Sequence, residues 1–132
     1  MITKDIRFEQ RFQNFEKAHH VLEQSLLIQS PSEVERGGII QFFELAFELS
    51  WKIMKDYLET QGFIANSPRE ALKQAFQAGV IQDGHRWIDA LEKRNLSTHI
   101  YDEEVALGIL QDIRQYYFPL IDQLYKYFQN LK

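Results

Sequence analysis

Apolar side chains recur every three or four residues along the N-terminal segment. This spacing places them on one face of a helix, which is typical of a helix that packs against a core. Asp5 is suited to cap the start of this helix, and Ser30-Pro31-Ser32 to end it. The stripe consists of Phe8, Phe12, Phe15, His19, Leu22 and Leu26.

A second long helix is predicted from about Glu33 to Gln61, and Gly62 is expected to terminate it. Paired glycines are costly inside a helix, so Gly37-Gly38 should break or bend its first turn. Its inward stripe is predicted to contain Phe42 or Phe43, Ala46, Leu49, Ile53 and Tyr57.

The motif Ser67-Pro68-Arg69-Glu70 is a helix start signal. It combines an N-cap serine, a proline at the first helical position and a glutamate that completes a capping box. The short helix that follows should end at Gly79. Its predicted inward residues are Leu72, Ala75 and Phe76.

Two further helices are predicted to begin at Asp83 and near Asp102. Trp87, Leu91 and Arg94 should share one face of the fourth helix. Pro119 should kink the long fifth helix, because it removes one backbone hydrogen bond. The stripe of that helix is predicted as Val105, Ile109, Ile113, Tyr116, Leu120, Leu124 and Phe128.

These patterns predict an all-α protein, an up-and-down antiparallel bundle of four to five helices, because no segment alternates with the period of a strand. The 132 residues are 45% hydrophobic and 14% aromatic. This length and composition favour a single domain that spans residues 1–132. The chain has no cysteine, and its sequence shows neither a signal peptide nor an apolar run long enough for a membrane span. We therefore expect a cytoplasmic protein.

A net charge of −4 argues against broad, salt-driven binding of nucleic acid, since that mode needs a basic surface. Any contact with RNA would have to be local. No cluster of His, Asp and Glu has metal-ligand spacing in the sequence, so we expect no metal and no cofactor. His19, His20 and His85 are interpreted as structural or surface residues.

The segment Arg94-Asn-Leu-Ser-Thr-His99-Ile-Tyr101 carries the candidate chemistry. Residues five apart on a helix differ by about 140° and residues two apart by about 200°, so these three side chains converge only if the helix ends between them. An imidazole, a guanidinium and a phenol at one helix junction suit phosphate chemistry. A purely structural alternative has Arg94 complementing the helix dipole, His99 capping carbonyls and Tyr101 anchoring the next helix.

The pattern Arg94-x4-His99-x-Tyr101, with Asn95 after the arginine, resembles the signature of HEPN ribonucleases, and in particular of HepT-type toxins. Further segments resemble the nucleotidyltransferase substrate-binding protein family over most of the chain. These segments are Phe43–Lys52, Lys55–Glu59, Ser67–Ala71 and Asp102–Glu104.

This resemblance implies specific roles for the three residues. Arg94 and His99 would be the catalytic pair for metal-independent RNA cleavage, in a pocket formed between two subunits. In the mechanism that we expect from these roles, Tyr101 orients the phosphate or the histidine. Tyr101 would also receive AMP from a minimal nucleotidyltransferase antitoxin, which silences the toxin. The alternative is a non-catalytic subunit that binds a nucleotide or substrate for that transferase.

Two further surfaces predicted from the sequence could contact a partner protein or a second copy of the chain. Glu44, Glu48 and Lys52 lie on a charged face of the second helix, which we interpret as solvated or as a docking surface. The stripe that Arg94 extends on the fourth helix favours a helix–helix interface, and hence a homodimer.

Overall fold

In the computed structural model, which describes residues 4–96 and 101–131, the chain forms a bundle of helices without a strand in those ranges. The all-α bundle predicted from the sequence is confirmed. None of the helices in the described ranges has the length and apolarity that crossing a membrane requires. The helices are α1 (Lys4–Ser25), α2 (Glu33–Thr60), α3 (Pro68–Gln77), α4 (Gly84–Leu96), α5 (Glu103–Asp112) and α6 (Phe118–Leu131), with a π-helical turn (Ile113–Tyr117) joining the last two.

Helix α2 begins with a complete capping box. The Ser32 hydroxyl accepts a hydrogen bond from the Glu35 N–H, and the Glu35 carboxylate accepts one from the Ser32 N–H at 2.8 Å. The helix continues unbroken through Gly37-Gly38, so the predicted break is wrong. Each glycine costs about 1 kcal/mol relative to alanine. The cap and the burial of Ile39 and Ile40 immediately afterwards offset that cost.

The ends of α2 and α3 follow the sequence signals. Gly62 and Gly79 both adopt positive φ, at 90° and 78°, which glycine tolerates without steric cost. Ser67 caps α3 as predicted, but the Glu70 carboxylate accepts from the Asn66 N–H, one residue earlier than a standard capping box.

Three predictions at the ends and surfaces of helices are wrong. Asp5 is already helical, so it does not precede α1, and α1 ends at Ser25 rather than near Ser30. Phe76 is 50% exposed, whereas Ala71 is buried with Leu72 and Ala75. Hydrophobicity alone therefore does not decide which side of a short helix faces the core.

The core is built on α2, whose aromatic side chains contact both α4 and the π-helical turn. Phe47 packs against Trp87 of α4 at a centroid distance of 6.0 Å. Phe43 stacks on Tyr117 at 5.7 Å. All four side chains are buried, and pairs of this kind add to the stabilisation from burial itself. They fix α4 and the π-helical turn against α2.

The helical pattern changes just before Pro119, near the predicted kink. The Phe118 N–H donates to the Ile113 carbonyl, five residues earlier, which is the hydrogen bond of a π-helix. The wider turn accommodates the proline. It also presents Arg114, whose guanidinium donates to the carbonyls of Leu26 and Ile28 at 2.6 Å each. Arg114 thus satisfies backbone acceptors beyond the end of α1.

His19 connects α1 to α6. It is only 5% exposed, and its Nε2 lies 2.8 Å from Oδ1 of Asp122. Its ring stacks on Tyr125 at a centroid distance of 4.4 Å. Lys126 pairs with the other carboxylate oxygen of Asp122 at 2.9 Å. The structural role predicted for His19 agrees with this buried position.

Burial alone would raise the pKa of Asp122, but hydrogen bonds from Lys126 and His19 outweigh it and lower the pKa below the ordinary value of 3.8. The resulting stabilisation is present above about pH 4 and is lost as the pH falls through the folded-state pKa. Asp122→Asn should therefore lower the urea midpoint at neutral pH, and the difference from the wild type should shrink in acid. The exposed Asp89→Asn is the control; a deficit in Asp122→Asn that is independent of pH would contradict this assignment.

Candidate active site

Arg94 lies in the last turn of α4, where its positive charge interacts favourably with the negative end of the helix dipole. Trp87 and Leu91, on the same face, are 2% and 8% exposed and belong to the core of this chain. The stripe is therefore covered within one chain, and the prediction that it forms a dimer interface is wrong. The stripe instead fixes the position from which Arg94 projects.

The guanidinium of Arg94 is paired with α2. Its Nη2 lies 2.6 Å from Oε2 of Glu48, and the two side chains are 34% and 28% exposed. Lys52 approaches the other oxygen of Glu48 at 3.7 Å, so the predicted Glu48–Lys52 pair is present. Glu48 thus lies between two cations and orients Arg94, rather than simply facing solvent.

Tyr101 lies just before α5 and is 81% exposed. The chain has left the helix by this residue, as the sequence predicts, and Asp102 caps α5 by accepting from the N–H groups of Glu104 and Val105. The exposure of Tyr101 contradicts the structural alternative in which it anchors the next helix in the core. Its phenol is accessible to another protein.

His99 lies outside the described residues. The catalytic role assigned to His99 remains a prediction. Asn95, the residue directly after Arg94, is exposed.

A cavity of about 470 Å³ adjoins Tyr101. It lies between the first turns of α2 and α5, and both helices contribute charged side chains to it. Its lining consists of Glu33, Val34, Arg36, Gly37, Tyr101, Glu103 and Ala106.

The described contacts of Arg94 and Tyr101 lie at different levels of α2. Arg94 pairs with Glu48, whereas Tyr101 shares its cavity with Arg36 and Gly37. Gly37 and Glu48 are eleven residues apart, which corresponds to about 16 Å along the helix axis. Within one chain, these contacts do not bring the two predicted site residues together.

Three potential metal ligands come together elsewhere, among the described residues. One ligand atom from each of His19, Glu23 and Asp122 lies within 4.8 Å of the others. Asp122 already pairs with Lys126, whose ammonium competes with a cation. No spacing in the sequence indicates this group, since Asp122 is 103 residues from His19.

Glu48 and Arg36 are the two site residues that sequence reasoning missed. The spacing of Glu48 from Lys52 explains it locally as part of a charged surface. Its pairing with Arg94 spans 46 residues and requires the packing of α4 on α2. Arg36 lies in the first turns of α2, where no motif distinguishes it from an ordinary surface arginine.

The Arg94–Glu48 pair should contribute a coupling of about 1 kcal/mol to folding, because it is short and half-buried but still reached by solvent. A double-mutant cycle with Arg94→Ala and Glu48→Ala, measured by urea unfolding, would give this value. The cycle of Arg94 with Glu44, one turn earlier on α2, is the control. Equal couplings in the two cycles would mean that the ion pair has no specific contribution.

Comparisons with known proteins place the chain in a family. A family model described as nucleotidyltransferase substrate binding protein like matches residues 10–130. Probable ribonuclease HepT from Haemophilus influenzae is 33% identical over 96 residues, which cover 67% of this chain and 66%, just under two thirds, of that protein.

Solved structures support the same assignment. A crystal structure of a protein from Thermus thermophilus matches with a TM-score of 0.78 and 32% identity, over 83% of this chain and 94% of the other. A Haemophilus influenzae protein, whose structure revealed the fold of a substrate binding domain of a nucleotidyltransferase, matches with a TM-score of 0.80 and 25% identity, over 89% of this chain and 98% of its own. The chain therefore belongs to the nucleotidyltransferase substrate binding protein like family.

Proposed function

We propose that this protein is a HEPN-type, metal-independent endoribonuclease that acts as a toxin, and that a minimal nucleotidyltransferase antitoxin silences it by adenylylating Tyr101. The observation that carries the proposal is the placement of Arg94 and Tyr101 on either side of one helix junction, with Arg94 oriented by Glu48 and Tyr101 exposed. The relative named probable ribonuclease HepT supports the same activity.

In the proposed cleavage step, His99 accepts the proton of a ribose 2′-hydroxyl. The 2′-oxygen then attacks the adjacent phosphorus, the bond from phosphorus to the 5′-oxygen of the next nucleotide breaks, and that oxygen leaves with a proton taken from water. Arg94 stabilises the negative charge that grows on the phosphoryl oxygens. The products are a 2′,3′-cyclic phosphate and a 5′-hydroxyl. Glu48 acts as a positioning residue, because it holds the guanidinium of Arg94 in one orientation.

We further propose a homodimer, in which the junctions of two copies face one pocket. A different surface from the α4 stripe suits this association. Val21 of α1 and Phe42 and Leu45 of α2 are 41%, 37% and 51% exposed and line a cavity of about 420 Å³. Leu45 lies one helical turn before Glu48, so a second copy packed there would approach the Arg94–Glu48 pair.

In the proposed silencing step, the phenolic oxygen of Tyr101 attacks the α-phosphorus of ATP. A P–O bond forms, pyrophosphate leaves with the magnesium that accompanied ATP, and the phenolic proton passes to a base of the transferase. The exposure of Tyr101 gives the transferase access. ATP and RNA are both cytoplasmic, which agrees with the location expected from the sequence.

A second candidate function is a non-catalytic subunit that binds a nucleotide or substrate for the transferase. The structural relative described as a substrate binding domain of a nucleotidyltransferase favours it, as does the acidic net charge of −4. The two functions differ in whether purified protein cleaves RNA.

The first test is cleavage of a mixed-sequence RNA by the purified protein in excess EDTA. His99→Ala should abolish cleavage, because no other group is proposed as the base, and Arg94→Ala should slow it by about 100-fold through the loss of charge stabilisation. His85→Ala, a change at an exposed histidine of α4, is the control. Undiminished cleavage by His99→Ala would overturn the catalytic assignment, and a wild type without cleavage would favour the binding subunit.

The second test is incubation with ATP, magnesium and the proposed partner, a minimal nucleotidyltransferase, followed by mass spectrometry of the intact protein. We expect the mass to increase by adenylyl groups on the wild type and to remain unchanged for Tyr101→Phe, which lacks the nucleophilic oxygen. Tyr116→Phe, at a tyrosine of the π-helical turn, is the control for a second phenol of the chain. A wild type that forms a stable complex with the transferase but stays unmodified would contradict the silencing mechanism.

A further inference from the structure

We propose that the cavity between the first turns of α2 and α5 binds the adenylyl group once it is attached to Tyr101, with Arg36 contacting the phosphodiester. This inference rests on the proposed adenylylation of Tyr101. It adds a nucleotide-binding site within this chain and assigns its phosphate contact to a residue outside the Arg94–Tyr101 segment.

Arg36 has hydrogen-bonding capacity that the described residues do not use. Its Nε is buried and has no hydrogen-bond partner among them. Its other contacts are long, with Nη1 at 3.4 Å from the Pro31 carbonyl and Nη2 at 3.5 Å from Oε1 of Glu103. A guanidinium carries five N–H donors in a planar fork that matches phosphate oxygens. Arg36 is therefore a cation prepared for a stronger anionic partner.

Glu103 is the group that a phosphodiester would replace. The side chain of Glu103 is 72% exposed, whereas that of Arg36 is 14% exposed. The glutamate can turn into solvent at little cost, while the arginine stays fixed against the protein. Since the phosphodiester would be covalently held beside the cavity, its local concentration would exceed that of any free anion.

The rest of the cavity suits a nucleoside. Its volume of about 470 Å³ falls within the range typical of small-molecule sites. The carboxylate of Glu33 offers acceptors for ribose hydroxyls. Val34, which is 85% exposed, and Ala106 offer apolar surface for a base.

The test uses protein adenylylated on Tyr101 by the partner transferase, then exposed to a nonspecific phosphodiesterase while release of AMP is followed. Arg36→Gln should accelerate the release of AMP by about tenfold, because the charged contact is lost. The release rate of Arg36→Lys should lie between those of Arg36→Gln and the wild type. Arg69→Gln, at an exposed arginine of α3, should match the wild type. Glu103→Gln, which removes the competing carboxylate, should slow release.

Equal release from wild type, Arg36→Gln and Glu103→Gln would overturn this inference while leaving adenylylation intact. A wild type that is never adenylylated would instead overturn the proposed function. If Arg36→Gln unfolds at a lower temperature than the wild type, the comparison of AMP release between the wild type and Glu103→Gln tests the inference in its place. A second measurement is the phosphorus NMR resonance of the adenylylated wild type. That resonance should differ from that of an adenylylated tyrosine peptide, and identical resonances would contradict a bound phosphodiester.

Discussion

Helix α2 packs against every other α-helix of the described chain, and the rest of the structure depends on that packing. Its buried side chains cover more than one face and include Phe43, Phe47, Ser50 and Met54. Even the polar Asp56 is buried, paired with Arg11 of α1 at 2.8 Å. A helix buried on several sides cannot shift along its axis without disturbing every neighbour at once, because protein interiors are close-packed. Residues of α2 are therefore held in fixed positions.

The candidate site includes two residues of α2 that are held in this way. Glu48 receives Arg94 from the end of α4, and Arg36 lies in the cavity beside Tyr101 before α5. Gly37, which lines the same cavity as Arg36, and Glu48 are eleven residues apart, or about 16 Å along the axis of α2. The fixed helix therefore sets the spacing between the Arg94 ion pair and the cavity beside Tyr101.

Local signals in the sequence predict much of the fold. The roles of Ser67, Gly62, Gly79 and Asp102 are predicted correctly because caps and left-handed glycines depend on only a few neighbouring residues. The predicted break at Gly37-Gly38 is wrong because tertiary burial of the next turn overrides helix propensity. Local spacing cannot show such burial.

The candidate site is only partly predictable for the same reason. The order Arg94, His99 and Tyr101 carries a family signature, so the three residues can be found in one sequence. Glu48 and Arg36 have no such signature. The pair of Glu48 with Arg94 joins residues 46 apart, and that of Arg36 with Glu103 joins residues 67 apart. Such pairs exist only after α4 and α5 have packed on α2.

The two arginines share an arrangement that suits the phosphate chemistry proposed for this acidic chain. Each guanidinium is anchored at a helix and paired with a glutamate, Arg94 with Glu48 and Arg36 with Glu103. The pairing neutralises the cation, which limits nonspecific attraction of nucleic acid by a chain of net charge −4. The two pairs differ in strength, however. Glu48 binds Arg94 at 2.6 Å and is 28% exposed, so it suits permanent orientation, whereas Glu103 contacts Arg36 at 3.5 Å and is 72% exposed, so it suits exchange for a phosphodiester.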